Sequence, residues 1–347
     1  MASLVRRVDV LRPEDLPMHP SAKCFSDVAA VVSACPNLTH LTTCFQSDLG
    51  PSGWLLHAAL DASVLSRLTS YTLFFVGTDG IYRPGNRQYC YLTAERIADH
   101  ILPCLEPRNL TRLNLLAPSS RFGESFESFM RYLLPFHHLT HRRLEGCHTF
   151  SDFSLLHLSD LKAPLRSIHL NLGRPRVAAH SIFLYLHTYR STLAHLILTC
   201  WIVDRPPAPL HLPELRHLRL STPNPHLLLP SIVAPLQLLD LPELALAGEE
   251  PVIADYYPFV RALSSTLRIF SAPQSLSDFL PHGGIDAVVT ECKANGILVL
   301  WRSKKATVED DMEEIDRWAG EWGQDKGEAR FLKGQYMEGK GFTAEYV

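Results

Sequence analysis

A short pattern of apolar and polar positions recurs along most of the chain. Its form is apolar-x-x-apolar-x-apolar, and a clear copy reads Leu110-Thr-Arg-Leu113-Asn-Leu115. The copies begin at Val5, Leu38, Leu68, Leu110, Leu139, Leu165, Leu193, Leu215, Leu236 and Leu267. Successive copies lie between 21 residues (Leu215 to Leu236) and 42 residues (Leu68 to Leu110) apart. Repetition on this scale is typical of solenoids, in which each copy forms one turn.

Each copy predicts a short parallel strand, because its apolar and polar side chains alternate with period two. The chain must then return to begin the next strand alongside, and apolar residues at helical spacing predict return helices at 22–33, 93–102 and 177–189. The closing segment 288–301 predicts a helix up to Gly296 and then a strand. The pattern therefore indicates an α/β solenoid of about ten irregular turns.

The repeated phrase resembles that of leucine-rich-repeat proteins. The irregular step length, the phrase Cys35-Pro-Asn-Leu38-Thr-His-Leu41 and the proline-rich returns resemble the F-box/leucine-rich-repeat proteins of basidiomycete fungi. The resemblance covers about residues 5–302. It implies a right-handed leucine-rich-repeat solenoid (horseshoe), with a parallel β-sheet on the concave face and irregular helical returns. It also implies a substrate-receptor role related to SCF-type ubiquitin ligases.

The sequence departs from this family in two respects. The asparagine that usually follows each strand is missing, and its equivalent positions hold Gln46, Pro118, Gly173, Trp201 and Pro223. No F-box precedes the first copy, so we find no segment that would dock a Skp1-like adaptor.

The repeat divides the chain into two regions. Residues 1–302 are predicted to form the solenoid, with a loop insertion at 77–90 in its longest step. Residues 303–347 are predicted to form an acidic C-terminal helix and a poorly ordered tail. That helix, at 307–322, carries Ile315, Trp318 and Trp322 on one stripe. It either caps the open end of the stack or binds a partner through its tryptophans.

The third, fifth and seventh positions of each phrase are predicted to point outward from the concave sheet. In the middle turns they form a basic and polar stripe, whose partner-binding candidates are Arg112, Asn114, His141, Arg143, His169, His195, His217 and Arg219. Neighbouring strands lie about 4.8 Å apart, so these side chains should be contiguous. The stripe indicates an acidic protein partner, with tighter binding as the histidines protonate near pH 6. The alternative is that these polar side chains only solvate the face.

The composition of the chain limits the cellular locations and the classes of partner that we expect. The 347 residues carry a formal net charge of −3, which gives no reason to expect nucleic acid or an anionic membrane as a partner. The eight cysteines contain no C-x-x-C pair, and Arg6, Arg7 and Asp9 interrupt the place of a secretory signal. The leucine-rich stretch 226–247 is broken by three prolines and cannot be a membrane helix. We therefore expect a cytoplasmic or nuclear protein.

No short motif of catalysis is present, including phosphate loops, nucleophile elbows and H-E-x-x-H. A cluster formed by His137, His138, His141, Cys147 and His148 invites a metal, but the strand and the loop before it should point these side chains apart. We expect no enzyme activity, no metal and no cofactor. The favoured function is a non-catalytic protein-binding scaffold acting through the concave face. The alternative is a truncated or diverged paralogue, a structural scaffold with no ligase role that contacts partners through the 77–90 loop or the C-terminal helix.

Overall fold

The computed structural model describes eleven stretches of the chain, and every structural statement below concerns them. They are residues 4–9, 22–46, 60, 62–76, 101–116, 133–145, 152–202, 204–222, 225–241, 257–273 and 284–302. The 77–90 loop and the segment 303–347 lie outside these residues, as do Cys147 and His148.

The main feature is one parallel sheet whose strands follow the order of the chain. Its strands are β1 (Arg7–Asp9), β2 (His40–Gln46), β3 (Ser70–Val76), β4 (Arg112–Leu116), β5 (His141–Glu145), β6 (Ser167–Val177), β7 (His195–Ile202), β9 (His217–Ser221), β11 (Leu238–Asp240), β12 (Ile269–Pro273) and β13 (Leu298–Arg302). These 11 strands are neighbours in sequence order, with no strand inserted between earlier ones. The α/β class is confirmed, and this strand order is consistent with an α/β solenoid.

A second sheet of two strands lies within the returns. Strand β8 (Leu210–His211) follows the proline-rich stretch after Arg205 and pairs in parallel with β10 (Ile232–Val233). The repeated phrase does not predict this pair, because neither strand belongs to a copy of it.

The helices of the described residues fill some of the returns. They are α1 (Ala22–Ser33), α2 (Ala62–Leu65), α3 (Asp152–Ser159), α4 (Ala179–His187), α5 (Pro225–Leu228), α6 (Tyr257–Leu263) and α7 (Gly284–Ala294), with 3₁₀ turns at Leu102–Cys104 and Leu229–Ser231. The predicted helix at 22–33 is confirmed as α1. The helix predicted at 177–189 is α4, shorter because Val177 ends β6. Most of the helix predicted at 93–102 lies outside the described residues.

The closing helix and strand are also confirmed. Helix α7 ends before Gly296, which has a φ of 68°. The amide of Ile297 donates to the carbonyl of Cys292 at 2.8 Å, and this closes the last turn. Glycine suits this left-handed position because it carries no Cβ. Strand β13 begins directly afterwards and forms the eleventh strand of the sheet.

The apolar positions of the repeated phrase form much of the core. Its first positions from Leu38 to Leu267 are no more than 1% exposed. They are Leu38, Leu68, Leu110, Leu139, Leu165, Leu193, Leu215, Leu236 and Leu267. Truncating such a leucine to alanine costs about 2–5 kcal/mol, so each turn depends on its own first position.

Threonines at the second position of the phrase join successive turns. The carbonyl of Thr69 accepts the amides of Thr111 at 2.9 Å and Arg112 at 3.0 Å, and also the Thr111 hydroxyl at 3.1 Å. The hydroxyls of Thr69 and Thr140 donate to the preceding turn in the same way. This threonine ladder ties turns together in a chain that lacks the usual asparagine.

Candidate protein-binding face

The sheet register places the predicted binding residues in two adjacent rows. The first row, at the third position of the phrase, contains Arg112, His141, Ser167, His195 and His217. The second row, at the fifth position, contains Asn114, Arg143, His169, Ile197 and Arg219. Side chains two residues apart on a strand share a face. All eight candidates therefore lie on one surface, which we call the polar face; their binding role stays a prediction.

The polar face is more tightly packed than its sequence suggests. Asn114, Arg143, His169 and His217 are only 5–8% exposed. Polar side chains of this kind are usually buried only where they have hydrogen-bond partners. The face therefore presents polar groups held in fixed positions rather than freely moving surface side chains.

Six residues from β4, β5 and β6 surround a small depression in the polar face. It is small, with room for about one water molecule. The side chains come from Arg112, Asn114, His141, Arg143, Ser167 and His169, and the adjacent Arg142 completes the lining. The amide nitrogen of Asn114 donates to the Thr72 hydroxyl at 2.9 Å, which fixes one wall. Among these residues, none is acidic.

Two histidines of the first row contact each other. The Nδ1 atoms of His195 and His217 lie 2.5 Å apart, so one of them carries the proton of the shared hydrogen bond. The ring centroids are 4.5 Å apart. Two protonated rings cannot share this bond, because both nitrogens would then be donors. At most one ring of the pair can therefore be protonated.

Burial keeps the histidines of the first row neutral. It lowers the pKa of His217 to about 3, with smaller contributions from His195 and Arg216. It lowers the pKa of His195 to about 4, with a contribution from Arg166. His195 and His217 are therefore uncharged at pH 6, contrary to the expectation that they protonate near that pH.

The pKa of His141 behaves in the same way. Burial is the main cause that lowers it to about 4, with contributions from Arg112, His195 and Arg166. At neutral pH the positive charge around the depression therefore comes from arginine. The sequence overestimates the role of histidine because burial is not visible in the spacing of the phrase.

An ion pair lies at the end of the polar face that is farther from the depression. The Nε of Arg219 is 3.5 Å from Oδ2 of Asp240, and Asp240 is buried. The register aligns these two residues on β9 and β11. A carboxylate therefore offsets part of the charge of Arg219.

Arg142 is a functional candidate that the sequence does not reveal. In β5 it aligns with Leu113 of β4 and Ile168 of β6, which are buried apolar positions. Its side chain is 3% exposed and donates from Nη2 to the Tyr185 hydroxyl. The spacing between Leu139 and Leu144 is the same as the spacing between the equivalent leucines of other copies. This agreement is the signal that assigns Arg142 to an inward position.

Arg142 is surrounded by aromatic rings rather than by carboxylates. Its guanidinium carbon lies 5.4 Å from the ring centre of Tyr185 and 5.8 Å from that of Tyr189. Among the described residues, its Nη1 has no hydrogen-bond partner. An arginine stays protonated in proteins. The chain therefore holds one positive charge directly below the polar face.

Helix α4 fixes the tyrosine that receives Arg142. The carboxylates of Asp152 and Asp204 accept the amides of Ala178 at 3.0 Å and Ala179 at 2.7 Å, where the helix begins. Acidic groups stabilise this end of a helix, whose amides lack partners within it. Tyr185 is thus presented to Arg142 from a helix anchored at its start.

The part of the chain that the structure describes contains no group of three or more histidine, cysteine, aspartate or glutamate side chains placed to hold a metal ion. Within the same residues, no helix combines the length and the apolar character that crossing a membrane requires.

Comparison with known proteins places the chain in no family. No family model matches it, and no curated protein matches it.

Proposed function

We propose that the chain is a right-handed leucine-rich-repeat horseshoe that binds a protein partner through its polar face, which would be concave. Eleven parallel strands in chain order, nine of them preceded by a buried leucine of the repeated phrase, support this fold. The observation that carries the function is the pair of in-register polar rows across β4 to β9. Arginines in these rows favour an acidic partner.

The proposed role is non-catalytic and uses no cofactor. The polar face offers donors fixed on neighbouring strands, an arrangement suited to recognition. By resemblance, the recognised protein would be a substrate of an SCF-type ubiquitin ligase, and the chain would act in the cytoplasm or nucleus. The alternative is a structural scaffold with no ligase role, whose contacts would use the 77–90 loop or the C-terminal helix, outside the described residues.

Affinity capture tests the proposal. The full chain and an Arg143→Glu, Arg219→Glu variant are used to capture proteins from an extract of the source cells, which mass spectrometry identifies. We expect the variant to lose at least one protein that the unchanged chain captures. An Arg190→Glu, Arg261→Glu variant provides a matched control, because both arginines are exposed and lie outside the two rows. An identical set from all three proteins would overturn binding through the polar face.

The same experiment separates the two roles. Recovery of a Skp1-like adaptor and a cullin would support the substrate receptor. A captured partner without either would favour the scaffold. Because Arg143 is buried, a neutral Arg143→Gln, Arg219→Gln variant and circular dichroism show whether lost capture reflects lost folding.

A further inference from the structure

The second position of the repeated phrase forms a row along the edge where the strands of the main sheet begin, which we call the entry edge. The carbonyl of Arg166 accepts the amides of Ala194 at 2.8 Å and His195 at 2.9 Å. The carbonyl of Arg216 accepts the amide of Gln237 at 2.7 Å in the same way. These bonds fix the backbone of each residue in the row, so the entry edge holds its side chains at defined places.

Arginine occupies this position in every second copy of the phrase in the later part of the sheet. The three residues directly precede β6, β9 and β12; they are Arg166, Arg216 and Arg268, which we call the arginine row. Ala194 and Gln237 fill the positions between them. Because neighbouring strands lie about 4.8 Å apart, successive arginines are about 10 Å apart and the row is about 19 Å long. Positive charge therefore recurs at a fixed interval along the entry edge.

The first two arginines of the row keep their charge available. Arg166 is exposed, and within the described stretches its guanidinium has no hydrogen bond or ion pair. Arg216 donates from Nη1 to the carbonyl of Pro213 at 2.7 Å, and this acceptor carries no formal charge. Besides burial, the charge of Arg166 lowers the pKa of His195, and that of Arg216 lowers the pKa of His217. The potential at the entry edge is therefore positive.

Carboxylates close to the row in sequence do not neutralise it. Glu214 lies two residues before Arg216 and is exposed, but no ion pair joins them in the part of the chain that the structure describes. Asp160 lies six residues before Arg166, and its Oδ2 is 3.9 Å from Nδ1 of His157. The acidic complement of the row must therefore come from outside the described residues.

The chain carries such a complement shortly after its last strand. Residues 307–316, which lie outside the described stretches, contain six acidic residues and no lysine or arginine. The six are Glu309, Asp310, Asp311, Glu313, Glu314 and Asp316. The whole chain has a formal net charge of −3 and this segment carries −6, so the other residues together carry +3. Negative charge is therefore concentrated in one short segment of an otherwise basic chain.

The connection from β13 is long enough for this segment to reach the row. Glu309 lies seven residues after Arg302, the end of β13, and Asp316 lies fourteen residues after it. These lengths span about 23 Å and about 46 Å when extended. Arg216 and Arg166 lie three and five strands from β13, so they are about 20 Å and about 30 Å from Arg302 once the length of the strand is included. A segment tethered in this way has an effective concentration of about 1 mM.

We propose that residues 307–316 dock on the arginine row of their own chain, with their carboxylates on the guanidinium groups of Arg166 and Arg216. Guanidinium and carboxylate groups form charge-assisted hydrogen bonds that are often bidentate. A single exposed pair contributes little, but several pairs along one row form a network. The contact lies on the entry edge and not on the polar face, so this inference does not depend on the proposed function.

A zero-length cross-link tests the contact in the full chain. A carbodiimide joins a carboxylate to a lysine amine in direct contact with it, and mass spectrometry locates the new amide. Arg166→Lys and Arg216→Lys each place an amine on the row and keep its charge. We expect each introduced lysine to be joined to a carboxylate of residues 307–316.

Arg261→Lys provides the matched control for proximity along the sheet. This exposed position lies on α6, between β11 and β12, and is nearer to β13 in strand order than Arg166 is, but it is outside the row. Its cross-link to the segment should be at least about fivefold less abundant, because tethering alone does not hold the segment in contact. Circular dichroism shows whether each variant keeps its fold.

Salt and isotope labelling characterise the cross-link further. At about 1 M salt the Debye length falls to about 3 Å, so cross-links on the row should become at least about threefold less abundant. A mixture of isotope-labelled and unlabelled chains shows whether the segment docks on its own chain or on a second copy. We expect the two peptides of each cross-link to carry the same label.

Four results would each overturn the inference. They are no cross-link from either introduced lysine to residues 307–316, equal abundance in the Arg261→Lys control, no effect of salt, and cross-links that join labelled to unlabelled chains. The last result would instead assign the row to the acidic segment of a second copy.

Discussion

The contact between Arg142 and Tyr185 allows the sharpest test of the core. We consider three variants, which are Arg142→Leu, Tyr185→Phe and the double substitution. Leucine is the residue that other turns use near this position, and phenylalanine keeps the ring of Tyr185. The pair therefore can be removed one polar group at a time, with little change in volume.

The magnitudes follow from which polar group loses its partner. Tyr185→Phe leaves the buried guanidinium without its acceptor, which should cost about 2 kcal/mol. Arg142→Leu leaves the Tyr185 hydroxyl buried without a partner, and burial raises its pKa so that it stays neutral. This loss, partly offset by the new leucine, should cost about 1 kcal/mol. The double variant removes both buried polar groups of the pair and should cost about 0–1 kcal/mol. The coupling energy is therefore about 2–3 kcal/mol.

Urea unfolding followed by circular dichroism gives the free energy of unfolding for all four proteins. A control cycle combines Arg142→Leu with Tyr71→Phe, because Tyr71 is also buried and contacts Thr43 in another turn. That cycle should be additive within about 0.5 kcal/mol. If the Arg142 and Tyr185 substitutions are additive to the same extent, the proposed coupling does not exist.

Three further predictions concern the ladder, the histidines and the ion pair. Thr111→Val removes the hydroxyl that donates to Thr69 and should lower the free energy of unfolding in urea by about 0.5–1 kcal/mol; no change would show that the hydroxyl adds nothing. His217 has a folded pKa of about 3, below its unfolded value near 6.5, so stability falls as pH drops below about 6.5. Between pH 7.5 and 5.0, the free energy of unfolding of His217→Asn should fall by about 2 kcal/mol less than that of the unchanged chain. An equal fall would contradict this. Asp240→Asn leaves Arg219 without its carboxylate and should cost about 1–3 kcal/mol in the same assay, whereas an unchanged midpoint would mean that the pair is not stabilising.

The strands were predictable because their signal is local and repeated. Each phrase combines a leucine with an alternating stretch, and the register aligns equivalent positions such as Arg112, His141 and Ser167 without a slip. A one-residue shift would exchange the polar and apolar faces of a strand, so the pattern specifies the register as well as the element. The two polar rows follow directly from it.

Other features depend on distances between turns and were not predictable. Arg142 breaks the hydrophobic pattern, and the position of Tyr185 in the return after β6 explains why the core accepts it. The lowered pKa of His217 arises from burial, which no spacing reveals. The threonine ladder at Thr69 and Thr111 was not predictable, because threonine hydroxyls are equally suited to a solvated edge of the sheet. Each of these features pairs residues that are more than 20 positions apart in the chain or depends on what covers them.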